Sequence, residues 1–161
     1  MTARKIPENI SARVRADAGY RCGYCLTHQR YAMQVLEIEH IIPKAKAETE
    51  DEDNLWLACR LCYNAKGIQT HGYDPLTGRR VRLFNPRTQK WRRHFYWSDD
   101  GTWVSGRIAC GRATVATLNL NNEIALVVRR NWVSAGWHPP AIWSWEEEPS
   151  PLYNSAHRLL S

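Results

Sequence analysis

Two pairs of cysteines, Cys22-Gly-Tyr-Cys25 and Cys59-Arg-Leu-Cys62, are the residues of this sequence best suited to chemistry. Each turn presents two sulfurs, and four thiolates fill the tetrahedral shell that zinc takes at structural sites. In a reducing compartment such pairs are metal ligands more often than disulfides. Two redox-active pairs, or four buried thiols, are the other readings of the same residues. A zinc ion held by four thiolates keeps no open position for an activated water, so it is structural and any reaction belongs to other residues. Cys110 stands outside the two pairs and reads as a small buried apolar residue.

Between the pairs lies Glu39-His40-Ile41-Ile42-Pro43, followed by Asn54. Phosphodiester hydrolysis needs a deprotonated water and a cation that takes up charge on the phosphate. A neutral imidazole accepts a proton near neutral pH, and a carboxylate beside it can hold a hard divalent ion such as Mg2+. Neighbouring residues on a strand point to opposite sides, so a bend at Glu39-His40 has to bring both to one site. An isolated Glu-His is most often a surface pair at a strand end, and Asn54 alone reads as a helix cap.

Taken in order, Cys22, Cys25, Glu39, His40, Pro43, Asn54, Cys59, Cys62 and Lys66-Gly67 resemble the pattern of the HNH endonuclease family. The resemblance implies a ββα-metal core built on the zinc site, and hydrolysis of DNA, by nicking or cleavage, as the activity. It implies His40 as general base, Glu39 as ligand of a catalytic Mg2+ or Mn2+, and Asn54 as the brace of the loop that carries the histidine. Residues 74–138 also resemble the C-terminal extension of bacterial HNH proteins, in LFNPRTQKW, GRATV and RRNWVSAGWHPP. One position departs from the pattern. The residue after the second cysteine pair is usually His or Asn and completes the divalent-metal site; here it is Tyr63. Asn64 is left to substitute, although a helix turns it about 100° away from Tyr63. His71, from the loop expected beyond Gly67, is a second substitute. A weakly metallated, slow or inactive site is the third reading. The usual Gly-rich stretch after the proline is replaced by Ala47-Glu48-Thr49-Glu50.

A basic stretch follows. Arg79, Arg80, Arg82, Arg87, Lys90, Arg92 and Arg93 carry no acid among them, and Trp91 and Trp97 are close by. Together with Lys66 they are the expected contacts to nucleic acid, because guanidinium forks suit phosphate and aromatic rings can stack on bases. A solvated basic face is the plainer reading. The formal charge of +6 points the same way, towards a polyanionic partner. No base-reading element is evident.

The elements that must position these residues follow from turn signals and periodicity. Residues 7–20 read as a helix, with Pro7 early and Gly19 at its stop. Residues 34–38 read as a strand entering Glu39-His40, with Ile41-Ile42 returning as its partner and Pro43 ending the pair. Residues 44–53 form a charged loop, and Asp53 caps a helix over 54–66 that Gly67 closes. Asp74–Gly78 is a turn, 80–84 a strand, and 86–95 a helix opened by Pro86. A hairpin spans 95–98 and 102–105 around Asp99-Asp100-Gly101. Two helices cover 111–119 and 121–135, the second carrying Ile124, Val127, Val128 and Trp132. The expected fold is therefore α+β: a zinc-stabilised ββα (HNH) core with a basic mixed α/β extension. Its segments are an N-terminal helix (1–21), the nuclease core (22–68), the extension packed on it (69–139) and a Pro-rich acidic tail (140–161).

No apolar run approaches the ~20 residues that span a bilayer, and the N-terminus has no signal-peptide core, which places the protein in the cytoplasm. The function expected is metal-dependent hydrolysis of DNA. Two rivals are a catalytically weak nucleic-acid-binding module and a zinc-stabilised interaction protein.

Overall fold

Leu55, Leu57 and Ala58 decide how the middle of the chain folds. All three are buried, and the alternation of Leu55 and Leu57 suits a strand with one face on a core. In the computed structural model, which describes residues 5–43 and 51–141, they lie on β2 (Leu55–Ala58). The stretch Ala47–Glu50 and the tail from residue 142, with Glu146-Glu147-Glu148, lie outside the described residues. β2 pairs antiparallel with β1 (Glu37–His40), Glu39 opposite Trp56 and His40 opposite Leu55.

This corrects two expectations. The helix expected from residue 54 begins only at Arg60, and Ile41-Ile42 is not the partner strand. Pairing with β1 decides for the period-two reading of residues 55–58. Helix α2 (Arg60–Lys66) starts on Cys59, whose sulfur accepts from the Cys62 N–H, and Gly67 closes it at φ 52°. β1, β2 and α2 form the expected ββα unit, with α1 (Glu8–Asp17) packed against its strands.

The extension begins with β3 (His71–Tyr73) and β4 (Arg80–Arg82), joined through the turn at Asp74–Gly78. α3 is a single turn, Trp91–His94, where a longer helix from Pro86 was expected. The Asn85 side chain captures the Arg87 and Thr88 N–H groups, a local turn that competes with helix. β5 (Phe95–Trp97) and β6 (Val104–Gly106) form the expected hairpin, followed by α4 (Ala109–Thr117) and α5 (Glu123–Ser134). The described residues thus form three two-stranded antiparallel sheets and five α-helices.

One hydrophobic core runs through both halves. Cys22, Tyr24, Cys25 and Cys62 share it with Leu83, Phe84, Trp91, Phe95, Val104 and Leu120. The Trp91 indole donates to the Tyr24 carbonyl at 2.8 Å, and the Arg87 Nε donates to the Leu55 carbonyl at 3.1 Å. α5 contributes no buried apolar residue to this core. Its buried residue is Arg129, while Ile124 and Val127 are exposed.

Candidate active site on the four-cysteine ββα unit

The two cysteine turns meet at one point. The Sγ atoms of Cys22, Cys25, Cys59 and Cys62 all lie within 4.8 Å of one another, and those of Cys25 and Cys59 are 3.6 Å apart. Four sulfurs at zinc–sulfur bonding distance sit about 3.8 Å apart on a tetrahedron, so the set fits a zinc ion. Burial pushes the Cys22 thiol up, whereas hydrogen bonds from Cys22, Cys59 and Cys62 hold Cys25 well below the usual thiol range, towards the thiolate that binds metal. The first turn docks on the hairpin through Gly23, whose N–H donates to the Leu57 carbonyl at 2.9 Å. A Cβ at Gly23 would collide with Trp56 and Pro86, so only glycine allows this approach. Cys110 is half-buried and packs at the edge of the shared core.

His40 ends β1, and the two residues after it are held from several sides. The Asn54 side chain accepts from the Ile42 N–H and donates to the Ile42 carbonyl, both at 2.9 Å. The Asn54 carbonyl accepts from the Ile41 N–H at 2.8 Å. Lys66, from the last turn of α2, donates to the Ile41 carbonyl at 3.0 Å. Ile41-Ile42 cannot return as a strand because these partners already take its backbone. Asn54 ends a 3-10 turn (Glu52–Asn54) rather than capping a helix, and its bonds are those of a brace on the histidine loop.

Glu39 is placed differently from expectation. Only 3% of it is exposed, its Oε1 accepts from the Tyr24 hydroxyl, and its Oε2 lies 3.8 Å from the Lys66 ammonium. Burial raises its pKa, opposed by Lys66 and by the Tyr24 hydrogen bond. A carboxylate shut away from solvent, with a cation already beside it, does not fit a hard divalent ion. Among the described residues the four cysteines are the one cluster of three or more His, Cys, Asp or Glu side chains able to hold a metal. Glu39 is therefore placed to hold β1 rather than to ligate Mg2+ or Mn2+.

The remaining expected residues separate. Lys66 is 2% exposed and serves the histidine loop, so it is not a surface contact to nucleic acid. Tyr63, three residues before Lys66, shares its side of α2 and is 42% exposed. Asn64 is turned about 200° from Lys66 and is exposed on another side of α2. His71 lies on β3 rather than in a loop, with its Nδ1 2.9 Å from the Thr70 hydroxyl. It lines a cleft of about 400 Å³ together with Ile41, Ile42 and Arg82. Arg79, Arg80, Arg82, Lys90, Arg92 and Arg93 are exposed. Arg87 is not among them: it lies over the Trp56 ring at 5.0 Å and joins the extension to β2. Tyr24 is not foreseen from the sequence. The available signal was a large ring inside a tight cysteine turn, which has to bury itself somewhere.

Residues 22–69 match the family model of the HNH endonuclease. The match begins at the first zinc cysteine and ends just beyond α2, so it covers the ββα unit and both cysteine turns. No curated protein and no solved structure matches the chain. The match concerns this segment alone, and the family it resembles is one of nucleases that act on nucleic acid. No helix among the described residues is long and apolar enough to cross a membrane.

Proposed function

We propose that the protein hydrolyses phosphodiester bonds of DNA, with His40 as general base. The observation that carries this reading is the HNH segment folded as a ββα unit on a four-cysteine site, with the residues after His40 pinned by Asn54 and Lys66. Pinning a loop fixes where its imidazole stands, and a base must be positioned before its pKa matters. The imidazole takes a proton from water, the water oxygen bonds to phosphorus, and the bond to the leaving sugar oxygen breaks. Exposed cations of the extension, including Arg80 and Arg82, offset the charge of the substrate backbone. Zinc, bound by the four cysteines, supplies structure and no open coordination position.

A plasmid-nicking assay tests this directly. His40→Ala should lose activity by about 10²–10⁴-fold, the usual contribution of a general base, while keeping its circular-dichroism spectrum. Equal nicking by both proteins would remove His40 from the mechanism. The burial of Glu39 favours a second reading, a nucleic-acid-binding module with little catalysis. Binding without nicking, across Mg2+ and Mn2+ titrations, would establish that reading instead.

A further inference from the structure

β3 and β4 are short, and their register decides which side chains stand together. Directly paired residues share a face, as do residues two apart on one strand. His71 pairs with Arg82 and Tyr73 with Arg80, with Gly72 opposite Val81 between them. The Gly72–Val81 side faces α4, since a Cβ at Gly72 would run into Thr117. The opposite side therefore carries His71, Tyr73, Arg80 and Arg82 in one patch. Tyr73 is 67% exposed, and both arginines are exposed. The acid at the start of the turn adds no exposed charge to the patch, because Asp74 is buried and bound by two hydrogen bonds from Arg112.

The patch leads into the cleft beside the histidine loop. His71 and Arg82 line that cleft, and so do Ile41 and Ile42, the residues that follow His40. Thr70, Asn85, Thr88 and Gln89 add polar groups to its lining. An arginine pair and an exposed phenol ring thus adjoin a polar cleft that Ile41 and Ile42, next in sequence to His40, help to line.

We infer that this face of the β3–β4 hairpin is a track for an unpaired DNA strand, delivering it to the cleft beside His40. Arg80 and Arg82 hold successive phosphates through their guanidinium forks, and Tyr73 carries a base on its ring. A base lying on a ring has to be unstacked from its own partner, which selects a single strand over a closed duplex. The inference rests on the nuclease reading and deepens it by naming the form of substrate and the surface that receives it.

The test is anisotropy binding, without added divalent ion, of a labelled single-stranded oligodeoxynucleotide and of the same sequence as duplex, over a salt series. Wild type should prefer the single strand. Tyr73→Ala should weaken single-strand binding about tenfold, the scale of one lost stacked base, and Tyr73→Phe should restore it. Arg80→Ala with Arg82→Ala should lower the slope of log K against log salt by about 1.4, from about 0.7 per phosphate on a single strand. Unchanged affinity in Tyr73→Ala together with an unchanged slope in the arginine pair would overturn the track, even if wild type nicks plasmid. If wild type fails to nick yet these variants lose binding as stated, the track stands and the catalytic reading falls.

Discussion

Tyr24, Glu39 and Lys66 join the zinc site to the histidine through buried side chains. Tyr24 belongs to the first cysteine turn, and Lys66 to the helix that starts at the second. Both reach Glu39, the residue before His40, so the carboxylate acts as an anchor from which β1 is held. An anchored carboxylate and a metal-ligating one respond differently to the same change. Glu39→Gln keeps the shape and still accepts from Tyr24, but leaves the Lys66 ammonium buried without its counter-charge. Removing one partner of a buried pair costs about 3–5 kcal/mol, so a large drop in the urea midpoint is expected. The Mn2+ concentration giving half-maximal nicking should stay where it is in wild type. A shift of that concentration to much higher values would show that Glu39 binds the ion after all.

At the scale of elements, the Asn54 side chain braces Ile42, two residues beyond the end of β1. Asn54→Ala leaves the Ile42 N–H and carbonyl without their partner, and an unsatisfied group of this kind costs about 1–3 kcal/mol. Chemical denaturation should show that loss, and nicking should fall further than stability alone accounts for, because the braced residue stands two positions after His40. Activity equal to wild type in the folded variant would reduce Asn54 to a structural residue. The brace was legible because Asn54 belongs to the family pattern, and the cysteine cluster was legible from ligand spacing alone. The strand at Leu55–Ala58 was not, because a run of four apolar residues before a true helix fits both periods, and only pairing with β1 decides between them. The burial of Glu39 and Lys66 was hidden for a related reason. Both are charged, charged residues are ordinarily exposed, and the contact that hides them joins positions distant in sequence. The Arg87 cation met the same fate, drawn onto Trp56 while its basic neighbours stayed in solvent.

For the whole molecule, the shared core makes the HNH segment and the extension depend on each other, and the stretch just after α5 helps to close it. His138, just beyond α5, donates from Nε2 to the Gly101 carbonyl at 2.9 Å, on the β5–β6 turn, with its ring against Trp97. Burial is the main cause that lowers its pKa to about 4, with the Gly101 hydrogen bond opposing and Arg129 adding to the shift. The folded state therefore prefers the neutral ring. Above the unfolded value near 6.5 this contribution to stability is complete. Between about 6.5 and 4 the unfolded chain takes up a proton that the folded chain refuses, so stability falls as the pH is lowered. Other groups act in the same range. His28 is lowered too and adds to the fall, whereas Glu39 is raised and works in the opposite sense, and thiolate protonation loosens zinc in every variant. The comparison with His138→Gln separates these, since glutamine does not titrate. The urea midpoint of wild type should fall more steeply than that of the variant between pH 7 and 4.5, and the two should run parallel above pH 7. Parallel curves throughout would mean that the ring is protonated in the folded protein as readily as in the unfolded chain. The contact with Gly101 would then not be what closes the C-terminal end onto the core.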